Sequence, residues 1–151
     1  MNKQAVVASA APAHHWELEL EMAAETVFDF LADGGHDPLW QPGVRSCQVL
    51  ARPGGVGALY RQSVRTPAGA VSGFRYTIAH HHRPGLLGLE SVSRGELQQV
   101  SLRLVPLSGA RCELQVRLSP PSPEHPWRPG ERWGKRLLAG LSRLPEVVGS
   151  T

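Results

Sequence analysis

Apolar and polar positions change period along the chain, and each change marks an element. His15 to Met22 reads H-W-E-L-E-L-E-M, with Trp16, Leu18, Leu20 and Met22 alternating with Glu17, Glu19 and Glu21. A period of two with one acidic face predicts a half-buried strand. From Ala24 to Ala32 the period becomes helical: Val27, Phe28 and Leu31 form one stripe, which Asp33-Gly34-Gly35 ends. A one-turn helix is expected at His36-Asp37-Pro38-Leu39-Trp40. There Asp37 is placed to cap, Pro38 fits the first helical position, and Gln41-Pro42-Gly43 closes the turn.

Six strands follow, over residues 45–52, 57–65, 71–80, 86–92, 97–105 and 111–118, each closed by Gly- or Pro-bearing turns such as Pro53-Gly54-Gly55 and Arg83-Pro84-Gly85. A spacing of roughly 8–12 residues predicts an antiparallel meander. Ser119 to Gly130 carries five prolines and reads as an extended linker. A helix is expected from about Gly130 to Leu144, with Trp133, Leu137, Leu141 and Leu144 on one face and Arg132, Lys135, Arg136 and Arg143 on the other. The expected organisation is a disordered leader over 1–14, one domain over 15–145 and a frayed tail over 146–151. A single-layer sheet has one wet and one greasy face, and the greasy face must be covered. With one substantial helix available, the sheet must curl around it.

Composition agrees. The 151 residues suit one domain, and 16 Gly with 13 Pro suit many turns. Cys47 and Cys112 show no metal spacing and no CxxC, and read as buried free thiols in a cytosolic protein. No apolar run approaches the roughly 18–20 residues of a membrane span. Charge is split: residues 1–40 hold one basic and seven acidic side chains, residues 41–151 fifteen basic and six acidic. Arg45, Arg52, Arg61, Arg65, Arg75, Arg103, Arg111 and Arg117 alternate with apolar residues, as on the wet face of a sheet. The aromatics fall on the opposite parity, which argues against nucleic acid.

Four stretches carry a likeness: Ala24-Glu25-Thr26-Val27-Phe28-Asp29-Phe30-Leu31-Ala32-Asp33, Trp40-Gln41-Pro42-Gly43-Val44, Val56-Gly57-Ala58-Leu59-Tyr60 and Arg83-Pro84-Gly85-Leu86-Leu87. Together with the element order, they resemble the helix-grip fold of the START-like superfamily (SRPBCC), over about residues 15–144. The resemblance implies an α+β fold: a curved seven-stranded antiparallel sheet around a C-terminal helix, with two short helices after the first strand. These motifs mark fold rather than chemistry. His80-His81-His82 departs from the pattern, and the C-terminal helix is shorter than usual.

In that fold the inner face of the sheet and the last helix line a cavity, and alternation says which residues face it. Tyr60, Gln62 and Val64 face in from one strand, and Phe74, Tyr76 and Ile78 from the next, with His80 at the rim. This parity pairs Tyr60 with Tyr76 and Gln62 with Phe74. Leu87, Leu89, Ser91, Val100, Leu102, Cys112, Leu114 and Val116 continue the wall, with Trp16, Leu18, Leu20, Trp40, Trp133, Leu137 and Leu141 around it. Two readings of the polar members stand side by side: ligand-binding groups in a greasy pocket, or strand-end groups bonded to backbone.

The resemblance points to the polyketide cyclase/dehydratase-like branch. It implies a hydrophobic small molecule in an internal cavity and, if catalytic, cyclisation or dehydration of a polyketide-like intermediate in bacterial biosynthesis, without metal or organic cofactor. Candidate catalytic residues are His80 as base, Tyr76 as oxyanion donor, and Tyr60 and Gln62; no Asp or Glu is expected inside. His80 and His82 share a face, but a metal would need a third ligand such as His36 or His125. The alternatives are a non-catalytic lipid or hydrophobic-metabolite carrier and a stress- or chaperone-type interaction module. The Arg-rich face could receive an acidic acyl carrier protein, and the chain is expected to be a monomer or homodimer.

Overall fold

The computed structural model describes residues 14–41, 43–52, 54–65, 69, 71–93, 96–119 and 138–149. Strand β1 (His14–Leu20) leads into helix α1 (Ala24–Leu31), a 3₁₀ turn (Gly34–His36) and helix α2 (Asp37–Trp40). Six strands follow: β2 (Val44–Ala51), β3 (Leu59–Arg65), β4 (Val71–His82), β5 (Leu86–Ser93), β6 (Glu96–Ser108) and β7 (Arg111–Ser119). All neighbours are antiparallel, in the order β1-β7-β6-β5-β4-β3-β2. The expected seven-stranded sheet is therefore present, with β1, paired to β7, at one edge and β2 at the other. No described helix is long and apolar enough to cross a membrane.

Alternation sets the layers. Inward residues of β3 to β7, among them Tyr60, Phe74, Ile78, Leu102 and Leu114, are buried with Val27, Phe28 and Leu31 of α1. Burying such aliphatic and aromatic side chains contributes roughly 1.5–3 kcal/mol each. Tyr60 lies opposite Tyr76 and Gln62 opposite Phe74, the register expected from parity. Outward arginines at 45, 52, 61, 65, 75, 103 and 117 are exposed. Arg111, partly covered, pairs with Glu19 and Glu21 of the first strand and the turn after it.

The C-terminal helical segment lies over the greasy side. Residues 138–142 are helical, and Leu141 and Leu144 are wholly buried. A Cβ at Gly140 would fall 2.2 Å from the carbonyl oxygen of Trp40, so the helix meets α2 backbone to backbone. Of the tail expected to fray, the last two residues lie outside the described residues, and residues 146–149 are helical, in α3 (Leu144–Gly149). Pro145 occupies its first turn, where a missing N–H costs no hydrogen bond, and Val147 and Val148 pack partly buried against the core. Residues 1–13 of the expected leader, residues 120–130 of the proline-rich linker with His125, and Trp133 and Leu137 fall outside the described residues.

Candidate functional site

The polar centre of the interior is Asp37. It is 1% exposed, contrary to the expectation of an interior without carboxylates and of a capping, solvated Asp37. The local sequence explains the reversal. Asp33 takes the capping role, its Oδ1 accepting from the Gly35 N–H at 2.9 Å. Gly34 lets the turn press against the sheet, since a Cβ there would fall 2.4 Å from the Tyr60 ring. The chain then enters α2 with Asp37 as its first residue, under the inner face of β3 and β4.

Three donors converge on one oxygen. The Tyr76 hydroxyl donates to Asp37 Oδ2 at 2.6 Å, Gln62 Nε2 at 2.9 Å and the Cys47 thiol at 3.6 Å. Gln62 Nε2 also donates to Gln41 Oε1 at 3.1 Å. The Tyr60 ring stacks on Tyr76 with centroids 5.3 Å apart. Cys47 lies directly opposite Gln62, and Val49 opposite Tyr60, on the β2–β3 ladder. The sheet register thus gathers a carboxylate, a phenol, an amide and a thiol from four separate elements.

Their electrostatics follow from burial. Desolvation pushes the Asp37 carboxyl up to about 6, against the opposing pull of the Tyr76 and Gln62 hydrogen bonds. A carboxyl so placed can take or give a proton near neutral pH. Burial, and then the Asp37 charge, lift the Tyr76 phenol far above its usual range, so it stays a neutral donor. Burial also pushes the Cys47 thiol up to about 12, which excludes it as a thiolate nucleophile at neutral pH.

Sequence reasoning assembled three of these groups and misplaced a fourth. Tyr60, Gln62 and Tyr76 do come together inside. His80 does not join them. The β4–β5 register shifts between Ile78 and His80, so the ladder opposes His80 to outward-facing Gly88. His80 is exposed on the outer face, its ring lying over Gly88. The same shift turns His81 inward, against the edge of Phe28 at 5.0 Å. Ser91 is buried, with its Oγ donating to the Arg75 carbonyl at 2.7 Å, which is the backbone-bonded reading. Trp40, Leu20, Phe74, Ile78, Leu87, Leu89, Leu102, Leu114, Val116 and Leu141 are buried; Trp16, Leu18, Val64 and Val100 are half-buried against them.

Tyr76 was the expected oxyanion donor, but its one hydroxyl hydrogen is engaged by Asp37. Both hydrogens of Gln62 Nε2 have acceptors as well. What stays unmatched is an acceptor: Gln62 Oε1 is buried without a partner among the described residues, as is the donor Trp40 Nε1. Beside this cluster, at the β2 edge, a cleft of about 430 Å³ opens between the α1–α2 region and β2–β3, bounded by Ala32, Asp33, Gly35, Cys47, Val49 and Tyr60.

No family profile and no curated protein sequence matches the chain. Solved structures do. A START superfamily protein from Mycobacterium smegmatis aligns over 91% of this chain and 95% of its own, at 22% identity and a TM-score of 0.63. The di-domain ARO/CYC StfQ of the steffimycin biosynthetic pathway aligns over 88% of this chain at 15% identity and a TM-score of 0.67; this chain spans about half its length, 46%. Truncated norcoclaurine synthase from Thalictrum flavum aligns over 89% of this chain and 93% of its own, at 16% identity and a TM-score of 0.65.

Proposed function

The chain has the START-like (SRPBCC) helix-grip fold, and on that premise we propose that it binds a hydrophobic small molecule against the inner face of the sheet and moves a proton there with Asp37. The observation that carries this reading is the convergence of Tyr76, Gln62 and Cys47 on a carboxylate 1% exposed, in a mostly apolar interior. Asp37 takes the base role that the sequence reading gave to His80. Tyr76 and Gln62 hold the carboxylate in place. The finer reading is aldol-type cyclisation or dehydration of a polyketide-like intermediate: Asp37 accepts a proton from the carbon that becomes the nucleophile, then returns one as water leaves. Similarity to an aromatase/cyclase fold supports that class.

The test combines Nile red binding with turnover of a poly-β-ketone thioester analogue. Asp37→Asn should retain the dye and lose turnover by about 10²-fold or more. Turnover unchanged in Asp37→Asn overturns the proton-transfer role. A carrier without turnover is the second reading, favoured by the closure of Asp37 from solvent; it expects dye binding and no reaction with either variant.

The exposed Arg61 and Arg75, directly opposite each other on β3 and β4, support an acidic acyl carrier protein as the docking partner of the outer face. Like charges across a ladder are unfavourable until an anion screens them. Arg61→Glu with Arg75→Glu should weaken carrier binding, and binding that ignores salt would count against the idea.

A further inference from the structure

The charged groups among the described residues that border the β2-edge cleft are both carboxylates, Asp29 and Asp33. Asp29 is held by a bidentate contact with Arg83 at 2.8 and 2.9 Å. Asp33 has no such partner among the described residues: its contacts there are the Gly35 N–H and a long one of 3.8 Å to His36. Among the described residues, neither Lys nor Arg borders the cleft. At its inner end, Cys47 and Tyr60 form the single layer separating it from Asp37 and Tyr76. The Asp33 charge reaches both Asp37 and Cys47, raising each. Behind that layer Gln62 Oε1, on a side chain 1% exposed, is a second acceptor without a partner among the described residues.

We propose that this cleft is a binding site for a small aromatic or alicyclic molecule that presents a hydrogen-bond donor, a hydroxyl or an ammonium, toward the Asp33–Asp37 end. The inference rests on the small-molecule reading above and adds the place and the head-group chemistry. The apolar body lies on the Tyr60 ring, Val49 and Ala32, for which about 430 Å³ is ample. The head meets the Asp33 carboxylate and, once the Cys47 contact opens, Asp37 Oδ2. A carboxylate head would meet the Asp33 and Asp29 charges instead, and a carbonyl head would forgo the Asp33 carboxylate. The long Cys47–Asp37 contact, 3.6 Å, is the weakest of the three on Oδ2 and the one an entering donor displaces.

The experiment titrates the ¹⁵N-labelled protein with 2-phenylethylamine, 4-ethylphenol, acetophenone and phenylacetate, and with Nile red in parallel. The two donor probes should shift the amides of Asp33, Gly35, Cys47 and Tyr60, and bind about fivefold tighter than the other two. Val49→Trp should block them. Asp33→Asn should weaken the amine about fivefold and spare the phenol if the ammonium is the preferred head; equal loss of both assigns Asp33 as a hydrogen-bond acceptor for either. Equal binding of acetophenone or phenylacetate overturns the head-group assignment. Shifts confined to Phe74, Leu102 and Leu114 overturn the cleft while leaving interior binding intact. No response to any probe, Nile red included, removes both.

Discussion

The Tyr76 hydroxyl donates to Asp37 Oδ2 across 2.6 Å, joining the middle of β4 to the first residue of α2, 39 positions apart in sequence. With the bonds from Gln62 and Cys47, it ties a short helix to the sheet, and a four-residue helix carries almost no stability of its own. Removing the hydroxyl leaves a buried carboxylate with one donor fewer. Tyr76→Phe should therefore cost about 1–3 kcal/mol in urea denaturation at pH 8. It should also raise the Asp37 carboxyl further, as followed by carboxyl ¹³C NMR.

Asp37 makes stability depend on pH in an unusual sense. Its carboxyl is raised on folding from 3.8 to about 6, so the folded state holds the proton more tightly than the unfolded chain. The associated stability is fully present below pH 3.8 and is lost as pH rises through about 6. Its size is on the order of 3 kcal/mol. Asp29 acts in the opposite sense: the Arg83 hydrogen bonds hold its carboxyl low, so its contribution fades only as pH falls below 3.8. Urea midpoints across pH 4–8 should fall through this window in the wild type, and Asp37→Asn should remove that component.

Gly34→Ala tests the contact that turns Asp37 inward. The added methyl meets the Tyr60 ring at 2.4 Å, inside any van der Waals distance. Overpacking of this kind should cost about 1–3 kcal/mol. The near-ultraviolet circular dichroism of the Tyr60–Tyr76 stack should change with it.

Cys47 should be a slow thiol although it borders a cleft. With the thiol pushed up to about 12, its thiolate fraction at pH 8 is about 10⁻⁴. Native alkylation by iodoacetamide should run at least about a hundredfold slower than for an exposed free cysteine. Asp37→Asn should accelerate it by removing the neighbouring negative charge.

His80→Ala should shift stability by no more than about 0.5 kcal/mol and leave any turnover unchanged, because its ring lies on the outer face. A loss of turnover with Nile red binding intact would return a catalytic role to His80.

The strands were legible because period-two alternation survives in nearly every one, and the Tyr60–Tyr76 register followed from parity alone. Two placements were not. A β-bulge inverts parity without altering the alternation that is read, so His80 and His81 exchanged faces. Asp37 stands before Pro38 and an apolar pair, the ordinary setting of a solvated cap. The available signal was Asp33, a second cap-capable residue four positions earlier across Gly34-Gly35. Asp33 caps the 3₁₀ turn that runs directly into α2, so this helical stretch does not draw on Asp37 as a cap. The ladder that aims Tyr76 and Gln62 at it is a long-range product of the sheet.

Where Gly140 crosses Trp40, two main chains touch with no side chain between them. Side chains can change rotamer to let helices slide, but backbone cannot yield in that way. The crossing therefore acts as a fulcrum. The helical segment over the sheet can tilt about that point more readily than it can translate past it, so a bulky guest would be accommodated by a lever motion. Gly140→Ala would lift the fulcrum itself and loosen the whole cover at once.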